Sequence, residues 1–445
     1  MAGMVSTRPD QKLIRIFRLR VTDKPGFLGQ IATLLGNMHA NIGEITIVAQ
    51  GPDFIIREIS LQLDDDQHLR DVEKGLRDLD GITIESIIDP VQQVHEGGKI
   101  AVRSRFPLET IAEMRKIYTP GVAQICRLIQ KDISLARRYT TIGNSVAVVT
   151  NGTAILGLGN IGPVAGMPVM EGKSVLFGEL VGINAYPILI DSQDSETIIK
   201  TVKAIAPTFG AIQLEDIAAP ECFDIEERLQ RELSIPVLHD DQHGTAVVVL
   251  AALLTITRRM LPTLSDSVVG IVGLGAAGTG IAKLLLAYGV KEIIGCDLRD
   301  EAMARLESAG GKRATLDGVM ENSDVVVLTT GRPGLVPAEK VQKGQVILAL
   351  SNPDPEIHPD VAIAQGARFA ADGRTINNAL AFPGLFRGAL RAGAQIFTDE
   401  MKIAAAKSIS QLAKEDTLVP SILDRSVHQH VADAVERAWL RHYRD

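Results

Sequence analysis

Residues 267–297 constrain the fold most, because an apolar strand, a glycine-rich turn, a helix at 280–288 and a second strand follow one another directly. The turn reads Gly273-Leu274-Gly275-Ala276-Ala277-Gly278. Such glycines let the backbone approach a pyrophosphate, and the amides of the following helix face its negative charge. An acid about twenty residues further on completes the pattern, and here Asp297 ends the second strand. This stretch therefore predicts a dinucleotide-binding βαβ unit.

Strands and helices continue to alternate after this unit. Further apolar runs lie at residues 325–329 and 346–350, each long enough for a buried strand. Such alternation is typical of a parallel, doubly wound sheet with helices on both faces. We therefore predict an α/β fold with a Rossmann-type nucleotide-binding domain over residues 263–445, ending in helices, and a boundary near Leu261-Pro262.

The same glycine spacing occurs a second time, at Gly157, Gly159 and Gly162, so the motif alone does not locate the nucleotide. Pro163 and the run Gly166-Met167-Pro168 follow this copy. Because proline and glycine interrupt helices, the segment suits an irregular loop better than a long helix. We interpret this copy as a close-packed turn.

The first ninety residues alternate strand-like and helix-like patterns in the order βαββαβ. Strand patterns lie at 13–19, 42–49, 55–63 and 82–88, and helical spacing lies at 27–38 and 69–79. This order and the stretch DKPGFLGQIATLLGNMHANIGEI resemble the ACT domain, a ferredoxin-like module whose family binds amino acids or similar effectors. The resemblance implies a regulatory domain over residues 10–92 that takes a small effector, or one that has kept only a role in assembly.

Composition limits the kind of partner. With 445 residues the chain suits two or three domains. Its net charge of −8 is spread without a basic stripe, which argues against nucleic acid as a partner. No apolar run is long enough for a membrane span or an export signal, so we expect no membrane association. The separated Cys126, Cys222 and Cys296 fit a reducing cytoplasm.

Two acidic pairs follow strand-like runs in the middle of the chain. Glu215-Asp216 follows residues 210–214, and Asp240-Asp241 follows residues 235–238. Because neighbouring parallel strands end at the same edge of a sheet, we expect these carboxylates to converge. Hard oxygen ligands suit Mg²⁺ or Mn²⁺. Taken singly, either pair is more often a helix cap or a solvated turn than a metal site.

The sequence around these pairs resembles a known family. The stretch EDIAAPECFDIEERL, followed by IPVLHDDQHGTAVV, is similar to the metal-binding region of the small bacterial malic enzymes, and the similarity extends over roughly residues 100–430. It implies a catalytic and metal-binding domain over residues 93–262. It also implies that Glu215, Asp216 and Asp241 are the metal ligands with Asp240 behind them, a choice between Asp240 and Asp241 that the residues alone leave open.

The same resemblance assigns the proton-transfer groups. Tyr118-Thr119-Pro120 and Met170-Glu171-Gly172-Lys173 are similar to the family's tyrosine and lysine segments. Lys173 would take the proton of the C2 hydroxyl, with its pKa lowered beside a metal ion, and Tyr118 would assist protonation at C3. Without the resemblance, a solvated lysine and a buried tyrosine are the ordinary interpretations.

The substrate and nicotinamide contacts come from amides in this interpretation. Asn352 in Ser351-Asn352-Pro353 and Asn378 in Asn377-Asn378 are similar to family residues that face malate or the nicotinamide, although turn-forming asparagine is the ordinary alternative. Ala154 stands where larger eukaryotic members have an arginine that holds the malate carboxylate. The amides, the metal or another basic residue would therefore hold that carboxylate here.

Together these features imply an NAD(P)-dependent oxidative decarboxylation of (S)-malate to pyruvate and CO₂ by a homo-oligomer, a dimer or higher. Asp297 favours NAD over NADP because a carboxylate accepts the ribose 2′-hydroxyl and repels a 2′-phosphate, although Arg299 lies two residues on. Two alternatives are a metal-free 2-hydroxy-acid dehydrogenase and a non-catalytic metabolite sensor. The carboxylate cluster argues against the first, and the Tyr118 and Lys173 motifs argue against the second.

Overall fold

A computed structural model describes residues 12–155, 157–260 and 263–442 of the chain. Contacts divide the chain into two units, one ending at Ala101 and the other beginning at Val102. The boundary that we expect near residues 261–262 lies outside the described residues.

The first unit contains a four-stranded antiparallel sheet in the order β2-β3-β1-β4 with two helices on one face. Its main elements are β1 (Leu13–Thr22), α1 (Phe27–Asn37), β2 (Asn41–Gln50), β3 (Phe54–Leu63), α2 (Asp66–Arg77) and β4 (Ile82–Ile88). In β1 the alternate residues Phe17, Leu19 and Val21 are buried. They pack with Ile31 of α1 and Val72 of α2. The βαββαβ order expected for a ferredoxin-like ACT domain is confirmed.

A short helix, α3 (Pro90–His95), follows β4. The sequence from 91 to 107 mixes polar residues with Gly97-Gly98 and predicts a linker. The structure differs from this prediction, because the segment starts within a helical turn. Its cause is local: Asp89 caps the helix by accepting from the amide of Val91 at 2.8 Å, and Pro90 occupies a first-turn position where its missing N–H costs nothing.

The second unit begins with helices and a four-stranded parallel sheet in the order β6-β5-β7-β8. Its helices are α4 (Ile111–Ile117), α5 (Val122–Lys131), α6 (Ala136–Tyr139), α7 (Pro163–Val181), α8 (Ser195–Ile205), α9 (Glu221–Glu232) and α10 (Asp240–Met260). Its strands are β5 (Ser145–Thr150), β6 (Asn184–Leu189), β7 (Ala211–Leu214) and β8 (Val237–His239). Since β7 and β8 are adjacent and parallel, their carboxyl ends lie side by side.

The 19-residue helix α7 corrects the expectation of an irregular loop after the first glycine motif. Pro163 stands in the first turn, where proline is favoured, and Pro168 lies inside the helix without ending it. Packing explains why the helix continues, because Met170, Ser174 and Phe177 are buried at helical spacing.

The remainder of the second unit contains a six-stranded parallel sheet in the order β11-β10-β9-β12-β13-β14. Its strands are β9 (Val268–Val272), β10 (Glu292–Cys296), β11 (Lys312–Arg313), β12 (Val325–Leu328), β13 (Val346–Ala349) and β14 (Phe369–Asp372). Its helices are α11 (Ala276–Tyr288), α12 (Asp300–Ser308), α13 (Leu316–Asn322), α14 (Pro359–Ala364), α15 (Phe382–Ala392), α16 (Asp399–Leu412) and α17 (Arg425–His442). The strand order reverses between β9 and β12, which is the switch point where doubly wound sheets bind ligands. The predicted Rossmann-type sheet is confirmed.

Helix α10 joins these two sheets. Every residue from Ala246 to Leu253 is buried, and they share one core cluster with residues of β5, α7, β9 and α11. A helix that is apolar all round is expected at the centre of a core. Within the described ranges, no helix combines the length and apolarity needed to cross a membrane.

Candidate active site

Three carboxylates meet at the ends of β7 and β8. Glu215 and Asp216 follow β7 directly, and Asp241 stands in the first turn of α10, which follows β8 without a loop. One oxygen from each of the three lies within 4.8 Å of the others. Asp216 takes a left-handed φ of +53°, and its amide donates to Asp241 Oδ2 at 3.0 Å. The backbone conformation therefore links the two halves of the cluster.

Lys173, from α7, lies against the same cluster. Its Nζ donates to Asp240 Oδ2 at 2.6 Å and lies 2.9 Å from Glu215 Oε1. The Phe382 ring covers the ammonium, with its centroid 4.5 Å from Nζ. Burial disfavours the charged form, but the carboxylates of Asp240 and Glu215 outweigh it and hold the pKa of Lys173 above its ordinary value. In this arrangement Lys173 is an ammonium ion.

The cluster suits a hard divalent cation. Four carboxylates, those of Glu215, Asp216, Asp240 and Asp241, meet here, and the ammonium of Lys173 contacts two of them, Glu215 and Asp240. Burial raises the pKa of the Glu215 carboxyl above its ordinary range. Lys173 opposes this shift, and the neighbouring carboxylates add to it. Asp240 Oδ1 is buried and has no hydrogen-bond partner in the described part of the chain. An oxygen donor set with excess negative charge is the kind that binds Mg²⁺ or Mn²⁺.

Tyr118, the predicted acid, lies on an exposed part of the second unit. It caps the C-terminal end of α4, and 69% of its surface is exposed. Among the described residues, it forms no hydrogen bond with Lys173. The predicted acid therefore faces solvent in a single chain, whereas only 11% of the side chain of the predicted base is exposed.

The two predicted amides lie beside the cluster and beside the first glycine motif. A Cβ added to Gly244 would stand 2.0 Å from Asp240 Oδ1 and 3.2 Å from Asn378 Cβ, which places Asn378 next to Asp240. A Cβ added to Gly157 would stand 3.6 Å from the carbonyl oxygen of Asn352. The turn at Gly157 is thus packed near Asn352 at the end of β13.

The second glycine motif borders a cavity of about 570 Å³ at the switch point of the large sheet. Gly273 has a φ of +90°, and a Cβ on Gly278 would stand 1.9 Å from the carbonyl oxygen of Gly273, so neither position admits a side chain without movement. Around Gly275, the described structure places nothing within 4 Å of an added Cβ. This open side of the turn is where a pyrophosphate would approach the first turn of α11, which contains Ala276 and Ala277.

Asp297 lies at the edge of this cavity. Its Oδ2 accepts from the amide of Leu274 at 2.7 Å, and its Oδ1 accepts from the amide of Arg299 at 2.9 Å. The carboxylate therefore connects the glycine turn to the end of β10, and its fixed position suits the recognition of a ribose hydroxyl.

Helix α11, which follows the glycine motif, contacts the first turn of α10. Gly280 of α11 lies against the first turn of α10, where an added Cβ would stand 2.3 Å from the carbonyl oxygen of Gln242. Gln242 follows Asp241 directly. The helix that bears the glycine motif therefore touches the turn that bears the carboxylates.

Sequence reasoning did not identify two buried groups near the cluster. Gln213 donates to Glu215 Oε2 at 2.5 Å. Glu226 of α9 accepts from the amide of His239 at 2.7 Å; burial raises the pKa of its carboxyl, but His243 and His239 outweigh burial and lower it to about 2. A signal for Glu226 exists, because it lies on the helix face of the buried Cys222 and Leu229, where a charge is unusual.

Comparisons with known families agree with this architecture. Residues 99–198 and 192–230 match the family described as "Malic enzyme, N-terminal domain". Residues 252–333 match "D-isomer specific 2-hydroxyacid dehydrogenase, NAD binding domain". Residues 16–84 match "ACT domain".

Similar proteins and solved structures extend over most of the chain. NAD-dependent malic enzyme 1 of Bacillus subtilis is 50% identical over 430 residues, which cover 96% of this chain and 98% of that protein. NAD-dependent malic enzyme of Geobacillus stearothermophilus is 42% identical, covering 92% and 91%. The malic enzyme structure from Pyrococcus horikoshii is 40% identical with a TM-score of 0.73, covering 78% of this chain and 88% of its own. The NAD-dependent malic enzyme structure from Thermotoga maritima is 37% identical with a TM-score of 0.73, covering 78% and 98%.

Two glycine substitutions are expected to separate folding from nucleotide binding. Gly278→Ala places a Cβ against the backbone of Gly273 and should lower the free energy of unfolding by about 1–3 kcal/mol. The Cβ of Gly275→Ala points into open space, so the melting temperature of this variant should stay near that of the wild type. Its NADH binding should weaken by about tenfold, because the added methyl group occupies the side that a pyrophosphate would approach. Thermal unfolding and NADH fluorescence titration measure the two effects. Equal loss of stability in both variants would contradict this assignment.

Proposed function

The chain belongs to the malic enzyme family, and we propose that it catalyses the oxidative decarboxylation of (S)-malate to pyruvate and CO₂ with reduction of NAD. The observation that carries this proposal is the cluster of Glu215, Asp216 and Asp241 with Lys173 at its edge. The contact between α11 and the first turn of α10 supports it, because hydride transfer requires cofactor and substrate to lie side by side.

We propose that Glu215, Asp216 and Asp241 bind Mg²⁺ or Mn²⁺, with Asp240 behind them. The bound ion would act as a Lewis acid on the C2 oxygen and on the enolate that decarboxylation leaves. Asn352 and Asn378 would donate to the substrate carboxylates or the nicotinamide amide. Because Ala154 offers no cationic side chain, these amides take a larger share of substrate orientation.

Lys173 is the proposed base for the C2 hydroxyl proton. Its pKa is raised here because Asp240 and Glu215 face it, with burial acting in the opposite direction. A dication bound by Glu215 would weaken the attraction between that carboxylate and Lys173. The pKa of Lys173 would then fall, and its amine would accept the hydroxyl proton. Tyr118 would assist protonation of the enolate at C3.

NAD is the proposed cofactor in preference to NADP. The carboxylate of Asp297, fixed by two backbone amides at the cavity edge, would repel a 2′-phosphate. The names of the relatives from Bacillus subtilis and Geobacillus stearothermophilus, both NAD-dependent malic enzymes, support the same preference. The proposed location is the cytoplasm, which the free cysteines Cys126, Cys222 and Cys296 support.

Three functional domains are proposed, with boundaries at 10–92, 93–262 and 263–445. The family matches at 16–84, 99–230 and 252–333 support this division, although the last match begins before residue 263. The second and third domains lie within one structural unit.

The metal and Lys173 are tested together by turnover of (S)-malate with Mn²⁺, comparing NAD with NADP and measuring pyruvate and CO₂. Chelation should abolish activity, and added Mn²⁺ should restore it. Lys173→Met should lower kcat by about 10²- to 10⁴-fold because the base is lost. Lys200→Met, on the exposed surface of α8, is the control and should leave kcat unchanged.

Other outcomes of this assay identify the alternatives. Reduced cofactor with stable oxaloacetate and no pyruvate would indicate a plain 2-hydroxy-acid dehydrogenase. If the folded, Mn²⁺-loaded chain shows no turnover, the result would favour a non-catalytic metabolite sensor.

We propose that the chain assembles as a homo-oligomer, a dimer or higher. The segment before β5 exposes a run of large apolar side chains, which is unusual for a free surface. They are Val102, Phe106, Leu108, Ile111, Ile117 and Ile133. Tyr118 belongs to this exposed segment, and assembly would give its side chain a protein environment.

Mixing two inactive variants tests where Tyr118 acts. Tyr118→Phe and Lys173→Met, each inactive alone, should regain part of the wild-type activity after they are unfolded and refolded together, because a mixed oligomer contains some sites with both groups. The rate of pyruvate formation measures the recovery. Mixing each variant with itself is the control, and no recovery would mean that Tyr118 serves the site of its own chain.

We propose that the ACT domain takes a small effector at the loop between β1 and α1. Asp23, Lys24, Phe27 and Arg57 line a cavity of about 320 Å³ there, and Gly26 has a φ of +83°. Charged groups of both signs suit a zwitterionic ligand such as an amino acid.

Thermal unfolding of the full chain with each of the twenty amino acids tests this proposal. A ligand at a hundred times its Kd should stabilise the chain by about 2.7 kcal/mol. Lys24→Ala should remove the shift, whereas Lys74→Ala, an exposed lysine on α2, should keep it. A chain that responds to none of these amino acids would leave the ACT domain with an assembly role.

A further inference from the structure

We propose that Glu226 is a positioning residue that holds the first turn of α10, so that Asp240 and Asp241 keep the geometry needed for the metal. This inference rests on the proposed metal-dependent function. It adds a residue of α9 that lies behind the cluster and is not itself one of the proposed ligands.

The Glu226 carboxylate accepts from three groups on one short stretch of chain. Oε1 accepts from the amide of His239 at 2.7 Å, and Oε2 accepts from Gln242 Nε2 at 2.8 Å. His243 Nε2 lies 3.1 Å from the same carboxylate. These partners stand on both sides of Asp240 and Asp241 in the sequence. One side chain therefore fixes the turn before and after the two carboxylates.

The burial of Glu226 argues against a purely structural role. The residue is only 6% exposed, on a helix face shared with Cys222, Ile225 and Leu229, which belong to the hydrophobic core. An apolar residue at such a position avoids the cost of removing a charge from water. A carboxylate here is explained by its hydrogen bonds to the start of α10, because charge-assisted hydrogen bonds are the stronger kind.

The held turn has two further contacts that a small shift would disturb. Asp241 Oδ2 accepts from the amide of Asp216, and Asp240 Oδ2 accepts from Lys173. Both contacts depend on the position of the first turn of α10. Groups that orient metal ligands from behind typically change metal affinity by about 10- to 100-fold when they are replaced.

The substitution Glu226→Gln tests the proposal, because it keeps the shape of the side chain but replaces one acceptor oxygen by a donor. That donor would face Gln242 or His243. Free Mn²⁺ is measured by electron paramagnetic resonance in a titration of the full chain without malate, so the readout does not depend on turnover. We expect the Kd for Mn²⁺ to rise by about 10- to 100-fold, with NADH affinity unchanged.

Glu227→Gln is the matched control, because Glu227 is the next residue on α9 and its side chain is 73% exposed. It should bind Mn²⁺ as the wild type does. Folded Glu226→Gln with wild-type Mn²⁺ affinity would overturn the proposal, and so would an equal loss of Mn²⁺ and NADH affinity, which indicates a general structural role.

A second variant covers the case in which Glu226→Gln does not fold. Gln242→Met removes one donor and leaves the carboxylate in place, so Mn²⁺ affinity should fall in the same direction by a smaller factor. Unchanged affinity in folded Gln242→Met would then count against the proposal. A wild-type chain that binds no Mn²⁺ would instead overturn the proposed metal dependence, which separates the two failures.

Discussion

Repulsion among the carboxylates at the ends of β7 and β8 is the constraint on which the second unit depends. Buried like charges are tolerated only where cations or donors face them. The chain meets this requirement from two directions: α7 brings Lys173, and the backbone of Asp216 turns its amide toward Asp241. The helices around this sheet therefore stabilise the buried charges as well as the hydrophobic core.

Much of the fold follows from local sequence patterns. The eight strands predicted for the two sheets of the ACT and nucleotide-binding domains from period or apolar runs all form. Helix α11 begins at Ala276 instead of residue 280, because the two alanines of the glycine motif are good helix formers and Gly278 allows close packing. Helix α4 begins at Ile111, where Thr110 and Glu113 form a capping box. Caps and close approaches thus decide boundaries that periodicity leaves open.

The parts that sequence did not predict depend on contacts between distant segments. Helix α7 continues past Pro168 because its far side packs in the core, which no local rule records. The adjacency of the strands predicted that the carboxylates converge. The role of Glu226 depends on the fold, which places His239 and Gln242 beside an otherwise ordinary residue of an acidic helix. Tyr118 shows the opposite case, since its motif is clear while a single chain leaves its side chain in solvent.

Gly280 of α11 approaches Gln242 of α10 so closely that the two helices are in direct backbone contact. A side chain at position 280 would therefore push apart the helix that follows the glycine motif and the turn that bears the carboxylates. Any influence of the dication on dinucleotide affinity would be matched, by thermodynamic reciprocity, by the same influence of the dinucleotide on the affinity for the dication. This backbone contact is the direct route by which such an influence would pass between the two sites.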